Sequence, residues 1–233
     1  MRNLFLIAAY VLAFSGKAQV NDALFWAGAG AKLDITKDLR LDYEFQTRFN
    51  KNFTTLTNFY NELSLKYDVV KGLNVGLSYR YARKNREAYF VGENRLSLNV
   101  RYGYRLDMGL KFSTRVRYQH AFDRLSTINN TIVPDVRQLF RWKGKVSYRN
   151  KDFKRVQPWA TGEWFANLKP SLYGLTNAYR LGVGVDFDLP ARNELMIGYM
   201  YEKEFRQTEQ NNHIYVIQYT YYIPYRLVDK KKG

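Results

Sequence analysis

Apolar and polar residues alternate along most of the chain with a period of two, which is the periodicity of a β-strand and not of a helix. In the first clear run, Leu39, Leu41 and Tyr43 fall on one face, whereas Arg40 and Asp42 fall on the other. Similar runs recur roughly eleven times along the chain. The pattern therefore predicts an all-β protein built from consecutive antiparallel strands.

The connections between these runs are of two kinds that alternate along the chain. Tight turns are expected at 36–38, 70–72, 107–109 and 190–193, and longer polar loops at 50–56, 83–92, 120–135, 166–176 and 204–212. This alternation is typical of an up-and-down transmembrane β-barrel with periplasmic short turns, and we predict about ten to twelve strands. The segment 23–35 disturbs an even count, so it is expected to be split, irregular or not a strand of the wall.

Composition narrows the class of protein without changing this picture. The 233 residues include no cysteine, which excludes disulfides and thiolate metal sites. Aromatic residues make up 17% of the chain and only 5 residues are proline, a composition that favours strands over disorder. A mean hydropathy of −0.48 excludes a polytopic helical membrane protein but not a barrel, in which apolar and polar residues average out.

The first 18 residues have the pattern of a secretory signal peptide. Arg2 precedes an apolar run from Leu4 to Phe14, and the segment from Ser15 to Ala18 supplies small residues before a cleavage point. The apolar run is too short to cross a bilayer as a helix, and no cysteine follows it for lipid attachment. The predicted organisation is a signal peptide at 1–18, a barrel at 19–223 and a basic tail at 224–233.

Alternation alone does not separate a membrane barrel from a soluble lipocalin-like barrel, because the two differ only in which face points outward. Three features favour the membrane. Most runs reach about 9 to 13 residues, enough for a tilted strand to cross the hydrocarbon layer. Tyrosines gather near predicted strand ends, as in interfacial girdles. Arginines share the polar face with acids, which suits an enclosed lumen where guanidinium groups are paired.

A basic lumen would account for the net charge of +16. The residues predicted to line it, as pore or plug, are Arg40, Glu44, Arg48, Glu62, Arg80, Arg95, Arg101, Arg105, Arg115, Arg117, Arg141, Glu163, Arg180, Asp186 and Glu202. Because arginines outnumber acids, any aqueous path should favour small anions. Barrels of about eight strands are filled by side chains and wide pores need about sixteen, so a narrow or plugged lumen is expected.

Catalysis has weaker support in the sequence. Lipid-modifying enzymes with a similar fold place a base within hydrogen-bond reach of a nucleophile. The only histidines are His120 and His213, both near predicted loop ends, and Ser126 follows His120 within a loop. We therefore predict that the protein is not an enzyme and needs no cofactor.

Metal and nucleic-acid sites are not predicted either. Asp186 and Asp188 share a face with Arg180 and are expected to form internal ion pairs instead of binding a metal. Gly182 and Gly184 lie on a strand and are expected to leave lumen space for long neighbouring side chains. Nucleic acid is not expected as a partner of an exported chain, and the aromatic and basic residues lie on opposite faces.

Several short motifs extend over most of the mature chain: Tyr43-Glu44-x-x-x-Arg48, Tyr79-Arg80-Tyr81-x-Arg83, Arg115-x-Arg117-Tyr118-Gln119, Pro158 with Glu163, and Arg180 with Gly184. In order and spacing they resemble a family of small outer-membrane barrels of Gram-negative bacteria called domain of unknown function 2490. The resemblance implies the fold and an outer-membrane location, and it implies no activity.

The sequence thus predicts an outer-membrane β-barrel of a Gram-negative bacterium, acting as a narrow or plugged anion-preferring pore or as a structural component. Three alternatives stay open: an interaction scaffold, a lipid-modifying enzyme and a soluble periplasmic lipocalin-like binding barrel. Expected partners are small anions, outer-membrane lipid, the barrel assembly machinery and lipopolysaccharide. Rim cations suited to lipopolysaccharide are Lys51, Arg83, Lys84 and Arg86.

Overall fold

The computed structural model of the protein describes residues 20–86, 89–123, 127–128, 131–132, 136–149, 155–171, 174–205 and 210–225. The predicted signal peptide at 1–18 lies outside the described residues, as does the tail beyond residue 225. Within the described part of the chain, no helix is long and apolar enough to span a bilayer.

Almost all of the described chain is β-structure. The strands are β1 (Val20–Asp34), β2 (Leu39–Asn50), β3 (Thr55–Val70), β4 (Leu73–Asn85), β5 (Phe90–Arg105), β6 (Leu110–Asp123), β7 (Thr127–Ile128), β8 (Thr131–Ile132), β9 (Val136–Tyr148), β10 (Val156–Ser171), β11 (Gly174–Leu189), β12 (Asn193–Glu204) and β13 (Gln210–Ile223). A short 3-10 turn, Pro190–Arg192, joins β11 to β12. All except β7 and β8, which pair only with each other, form one closed barrel of eleven strands. The predicted fold and strand number are confirmed.

The barrel closes through a parallel pair, because eleven strands that alternate in direction bring the first and last strands together pointing the same way. β1 pairs with β13 in continuous register from Val20 opposite Gln210 to Leu33 opposite Ile223. β1 also pairs with β2 in the antiparallel sense. The segment expected to be split, irregular or outside the wall is therefore a full strand of the wall, and the fully antiparallel barrel was the wrong expectation at this one seam.

The predicted tight turns are present at one rim. Gly72 and Gly109 have φ values of 87° and 88°, a region that glycine adopts without steric cost. At the opposite rim the connections are shorter than predicted. β10 extends to Ser171 and β11 begins at Gly174, so most of the expected loop at 166–176 is strand. The strands continue beyond their predicted ends because backbone hydrogen bonds between strands do not require the alternation of apolar side chains from which the strands were predicted.

The apolar face of the wall points outward. Leu77, Leu98 and Val183 are more than half exposed, and they occupy the positions that the alternation assigned to the lipid-facing side. Tyr60 and Glu62, which the alternation placed on the polar face of β3, are almost completely buried inside the barrel. This distribution is opposite to that of a soluble lipocalin-like barrel, whose apolar side chains fill the interior.

Strand β10, whose faces were undefined in the sequence, points Trp159, Thr161 and Glu163 inward. The indole of Trp159 lies over two glycines that are paired between β11 and β12, Gly184 and Gly198. A Cβ atom on Gly198 would come within 2.9 Å of the indole, and one on Gly184 would overlap it. The prediction that glycine on β11 leaves lumen space for a long neighbour is confirmed.

Gly184→Val should destabilise the folded protein by about 1–3 kcal/mol, because the new side chain competes with Trp159 for space in a packed interior. Gly144→Val is the matched control, since a Cβ on this glycine of the outer face meets no atom within 4 Å. Urea unfolding of the micelle-folded protein measures both effects. Equal losses of stability in the two variants would contradict the packing explanation.

Candidate functional site in the barrel lumen

Inward-facing side chains from ten of the strands meet near the middle of the barrel and form one connected layer, which we call the lumen layer. Its members are Trp26, Arg48, Tyr60, Glu62, Arg80, Asn99, Arg117, Arg141, Glu163, Phe165, Arg180 and Glu202. Each lies at an inward position because the strand alternation sends its neighbours to the outer face. The layer thus depends on the register of almost the whole wall.

Stacked arginines and aromatic rings hold one side of the lumen layer together. The guanidinium carbon of Arg180 lies 4.9 Å from the centre of the Trp26 ring, and that of Arg48 lies 3.9 Å from the same ring. Arg48 is also 5.1 Å from the ring of Tyr60, and Arg80 is 3.5 Å from it. Alternating cations and rings at these distances attract each other through the ring quadrupoles. The stack connects β11 with β1, β2, β3 and β4.

Glu62 extends the layer across the lumen from β3 to β6. One of its oxygens accepts a hydrogen bond from Arg80 at 2.6 Å, and the other lies 3.8 Å from Arg117. Arg117 also donates to the side-chain oxygen of Asn99 on β5. Because β3 and β6 are separated by two strands, these contacts bridge part of the interior instead of following the wall.

Glu163 is the most heavily paired carboxylate of the layer. Its oxygens lie 3.0 Å from Arg115, 2.8 Å from Arg141 and 3.6 Å from Arg180. Its side chain is only 3% exposed, so these cations replace water as its partners. The ring of Phe165 lies 4.6 Å from the guanidinium carbon of Arg141 and 4.9 Å from that of Arg180. Arg180 is additionally paired with Glu202 on β12.

An apolar cluster fills the interior beside the lumen layer. Trp26, Met200, Ile214 and Val216 are buried together, and Leu24 lies against them. The side chain of Ile214 is completely inaccessible to solvent. β1, β12 and β13 therefore contribute an apolar cluster to the lumen beside inward polar residues of the same strands such as Glu202 and Asn212.

Another buried carboxylate, Glu93, lies closer to the rim with the longer connections. It pairs with Lys84 at 2.5 Å, with Arg95 at 2.8 Å, and with Arg137. Lys84 was predicted to be a rim cation available to lipopolysaccharide, and this expectation was wrong because its ammonium group turns inward to Glu93. Sequence analysis missed Glu93 because its segment was expected to border a loop, whereas β5 already begins at Phe90.

Toward the short-turn rim, ion pairs between strands continue along the lumen wall. Asp186 accepts hydrogen bonds from Lys145 at 3.1 Å and from the indole of Trp159 at 2.8 Å. Asp188 pairs with Arg149 at 2.9 Å. The expectation of internal ion pairs is confirmed, but the partners come from β9 and the residue that follows it instead of from Arg180. The difference arises because Arg180 lies too far along β11 and is held by Glu163 and Glu202.

A cavity of about 330 Å³ lies between the lumen layer and the short-turn rim. One side carries Asn74, Asn99, Arg101, Arg115 and Arg117, and the other carries acidic and polar groups that include Glu44, Glu194 and Gln218. A second cavity of about 370 Å³ at the rim shares Lys32, Glu194 and Thr220 with the first. The two cavities therefore adjoin, and together they lead from the rim to the lumen layer.

Comparison with known proteins identifies the family of this barrel. A family profile described as "Protein of unknown function (DUF2490)" matches residues 23–213. The chain belongs to this family. The family description assigns no activity and therefore no role to any residue of the lumen layer. No curated protein matches the DUF2490 chain.

Solved outer-membrane proteins with a similar fold share little sequence with this DUF2490 protein. The β domain of the Bordetella autotransporter BrkA has 15% identity and a TM-score of 0.46, covering 78% of this chain and 82% of that one. For the NanC porin the values are 11%, 0.49, 77% and 86%. For the translocator domain of the autotransporter NalP from Neisseria meningitidis they are 13%, 0.45, 78% and 73%.

The residues predicted to line the lumen separate into three groups in the DUF2490 barrel. Arg48, Glu62, Arg80, Arg117, Arg141, Glu163, Arg180 and Glu202 belong to the lumen layer, Arg115 contacts it through Glu163, and Glu44 accepts a hydrogen bond from Tyr60 at 2.5 Å. Arg95 pairs with Glu93. Arg40, Arg101, Arg105 and Asp186 lie nearer the short-turn rim, where Arg40 pairs with Asp34 at 2.6 Å.

Sequence analysis missed the aromatic members of the layer, Trp26, Tyr60 and Phe165. Tyr60 was assigned to the polar face of β3 by alternation, and that position alone could have identified it as a lumen residue. Trp26 lies in the least regular strand pattern of the chain, and Phe165 in a strand whose faces were undefined. Phe165 could have been found from Glu163, which was predicted to line the lumen and lies two positions earlier on the same strand. No comparable signal in β1 identifies Trp26.

The two histidines lie far apart in the barrel wall, His120 on β6 and His213 on β13. The hydroxyl of Tyr199 lies 2.6 Å from Nδ1 of His213, and the ring of His120 contacts Phe122. Ser126 lies outside the described residues. Among the residues that the structure describes, no group of three or more acidic, histidine or cysteine side chains could hold a metal ion.

Glu163→Gln should destabilise the protein by about 3–5 kcal/mol, because it removes the shared carboxylate from beside buried arginines. Asp188→Asn provides the matched control. Its ion pair with Arg149 joins side chains that are 40% and 46% exposed, so its loss should cost about 0–1 kcal/mol. The free energies of unfolding in micelles measure both. A cost for Glu163→Gln no larger than the control would contradict the role assigned to Glu163.

Proposed function

We propose that this DUF2490 protein is an integral outer-membrane barrel whose lumen layer closes the interior to all but small solutes. Any path past the layer favours anions. The single observation that carries the proposal is the connected network of stacked and paired arginines across the lumen, from Arg180 through Trp26, Arg48 and Tyr60 to Arg80.

The outer face supports a location within a bilayer. The barrel strands have 12 to 16 residues, which exceeds the length that a tilted strand needs to cross the hydrocarbon layer. Tyr102 and Tyr104 lie near the short-turn end of β5, and Tyr199 and Tyr201 lie toward the other end of β12. Exposed leucine and valine side chains lie between such tyrosines, as expected for a lipid-facing band with aromatic girdles.

The size of the barrel supports a closed or narrow lumen. Eleven strands are closer to the eight that side chains alone can fill than to the roughly sixteen of a wide pore. Arginine, tryptophan and tyrosine are long enough to fill the extra width, and here they are held by mutual contacts. An open channel at this level would require these contacts to be broken.

The charge of the lumen layer supports anion preference. It contains five arginines and three glutamates, which leaves an excess of two positive charges in a confined space. Cations in a pore lining lower the energy of an anion and raise that of another cation. Arginine side chains stay protonated at ordinary pH, so the preference should persist over a wide pH range.

The orientation follows from the lengths of the connections. With the tight turns in the periplasm, β13 ends on the periplasmic side and β1 begins at the outer rim, because the two strands run parallel. The outer rim carries Lys51, Arg83 and Arg86, which are suited to the phosphates of lipopolysaccharide.

Leu98→Arg tests the membrane location. This side chain is 59% exposed on β5, and arginine in the middle of a lipid-facing wall should cost about 2–4 kcal/mol. Met108→Arg, at a turn position that is 68% exposed, should have little effect. Unfolding in lipid vesicles measures the difference. If the protein were a soluble barrel, both exposed positions would accept arginine equally well.

Planar-bilayer recordings test the closed lumen. The wild-type protein should give no large steady conductance steps, and any small currents should be anion-selective. The double variant Trp26→Ala/Tyr60→Ala removes both rings on which Arg48 stacks and should raise the conductance severalfold. The control Tyr79→Ala/Trp142→Ala removes two exposed outer rings and should not change it. Large wild-type steps would contradict closure, and cation selectivity would contradict the charge assignment.

A further inference from the structure

Three cations stand side by side on the lumen face of neighbouring strands. Arg101 on β5 is directly opposite Arg115 on β6, and Arg115 is directly opposite Lys143 on β9. Directly opposed residues of antiparallel strands have their Cβ atoms only about 4.5–5.5 Å apart. Like charges at that separation repel each other unless an anion lies between or beside them. The next residue in this row is Glu163 on β10.

The carboxylate of Glu163 does not compensate all three cations. It is shared with Arg141 and Arg180, and it reaches only one terminal nitrogen of Arg115. Nε of Arg115 is buried without a hydrogen-bond partner among the described residues. Arg101 forms no direct ion pair or hydrogen bond with any described residue, and Asp42, the carboxylate that attracts it across the cavity, is paired with Lys66. The Arg101 end of the row therefore has hydrogen-bond donors and positive charge that are not directly paired with any described residue.

There is space for a ligand at that end. Arg101 and Arg115 both line the cavity of about 330 Å³ below the lumen layer, together with Asn74, Asn99 and Arg117. Asn74 is directly opposite Arg101 on β4, and its amide has no partner among the residues described. The cavity adjoins the rim cavity, so a small solute entering at the short-turn rim reaches Arg101 without crossing the lumen layer.

We propose that this cavity binds a doubly charged oxyanion between Arg101 and Arg115, with Asn74 as an additional donor. Planar guanidinium groups bind two oxygens of one anion through parallel hydrogen bonds, and a halide ion does not match this arrangement because it offers one acceptor atom instead of two. Two adjacent guanidinium groups attract a doubly charged anion more strongly than a singly charged one, and the carboxylates Glu44 and Glu194 lie on the other side of the cavity. The inference deepens the proposed function and rests on it for the entry of solutes from the rim.

Titration calorimetry with inorganic phosphate tests this site. The full-length protein is folded in detergent micelles in phosphate-free buffer at low ionic strength, because salt screens such contacts. The wild type should bind phosphate saturably and more tightly than acetate or chloride. Arg101→Gln should weaken phosphate binding by about 10- to 100-fold, the range expected for losing a charge-assisted hydrogen bond.

Arg105→Gln is the matched control, because Arg105 lies on the same face of the same strand but outside the cavity. It should leave the phosphate affinity unchanged. Heat-modifiable gel mobility establishes that each variant is folded. Arg101→Lys keeps the positive charge but loses the two parallel N–H donors of the guanidinium group, so it should bind phosphate with intermediate affinity. Equal affinities in the Arg101→Gln and Arg105→Gln variants, or acetate binding as tight as phosphate binding, would overturn the site.

The two proposals fail in different experiments. An open or cation-selective lumen would appear in bilayer recordings and would leave the phosphate affinity measured in micelles unchanged. Loss of specific phosphate binding with small anion currents retained would overturn the Arg101 site alone.

Discussion

Arginines enclosed within the barrel are the constraint on which the rest of the structure depends. A guanidinium group stays charged, so each one removed from bulk water needs a carboxylate, a polar acceptor or an aromatic face. The barrel meets this need with Glu62, Glu163 and Glu202, and with the rings of Trp26, Tyr60 and Phe165. These partners come from different strands. The ion pairs therefore fix the register of the wall, and the wall holds the ion pairs in place.

Outward positions of the wall carry apolar side chains and inward positions carry mostly polar ones, and the alternation of a strand provides both. Successive side chains point to opposite sides, so an exposed leucine and an enclosed arginine can be adjacent in sequence, as Leu181 and Arg180 are. Space inside is limited, and the chain provides it with glycine where a bulky ring must lie. Gly184 and Gly198 make room for Trp159, whose indole then donates to Asp186. Packing and charge pairing are thus coupled at the same strands.

The distribution of charge along the barrel axis gives the two sides of the lumen layer different properties. On the side of the longer connections, Glu93 is enclosed by Lys84, Arg95 and Arg137. On the short-turn side, ion pairs with aspartates are formed by Arg40, Lys66, Lys145 and Arg149, whereas Arg101 has no direct ion pair with a described residue and lies beside a cavity. The lumen layer therefore separates an acidic centre enclosed by cations from a cavity that has both basic and acidic lining residues.

The sequence by itself determined the class of fold and the two faces of most strands, because a period-two pattern depends only on local strand geometry. It also placed the tight turns, where Gly72 and Gly109 are required by backbone conformation. Only the tertiary structure decided that β1 joins β13 in parallel, that Lys84 turns inward to Glu93, and that Asp186 pairs with Lys145. It alone also brought Trp26 between Arg48 and Arg180. These contacts join residues distant in sequence, and their partners are chosen by closure of the barrel and by competition among many nearby charges, neither of which a local pattern contains.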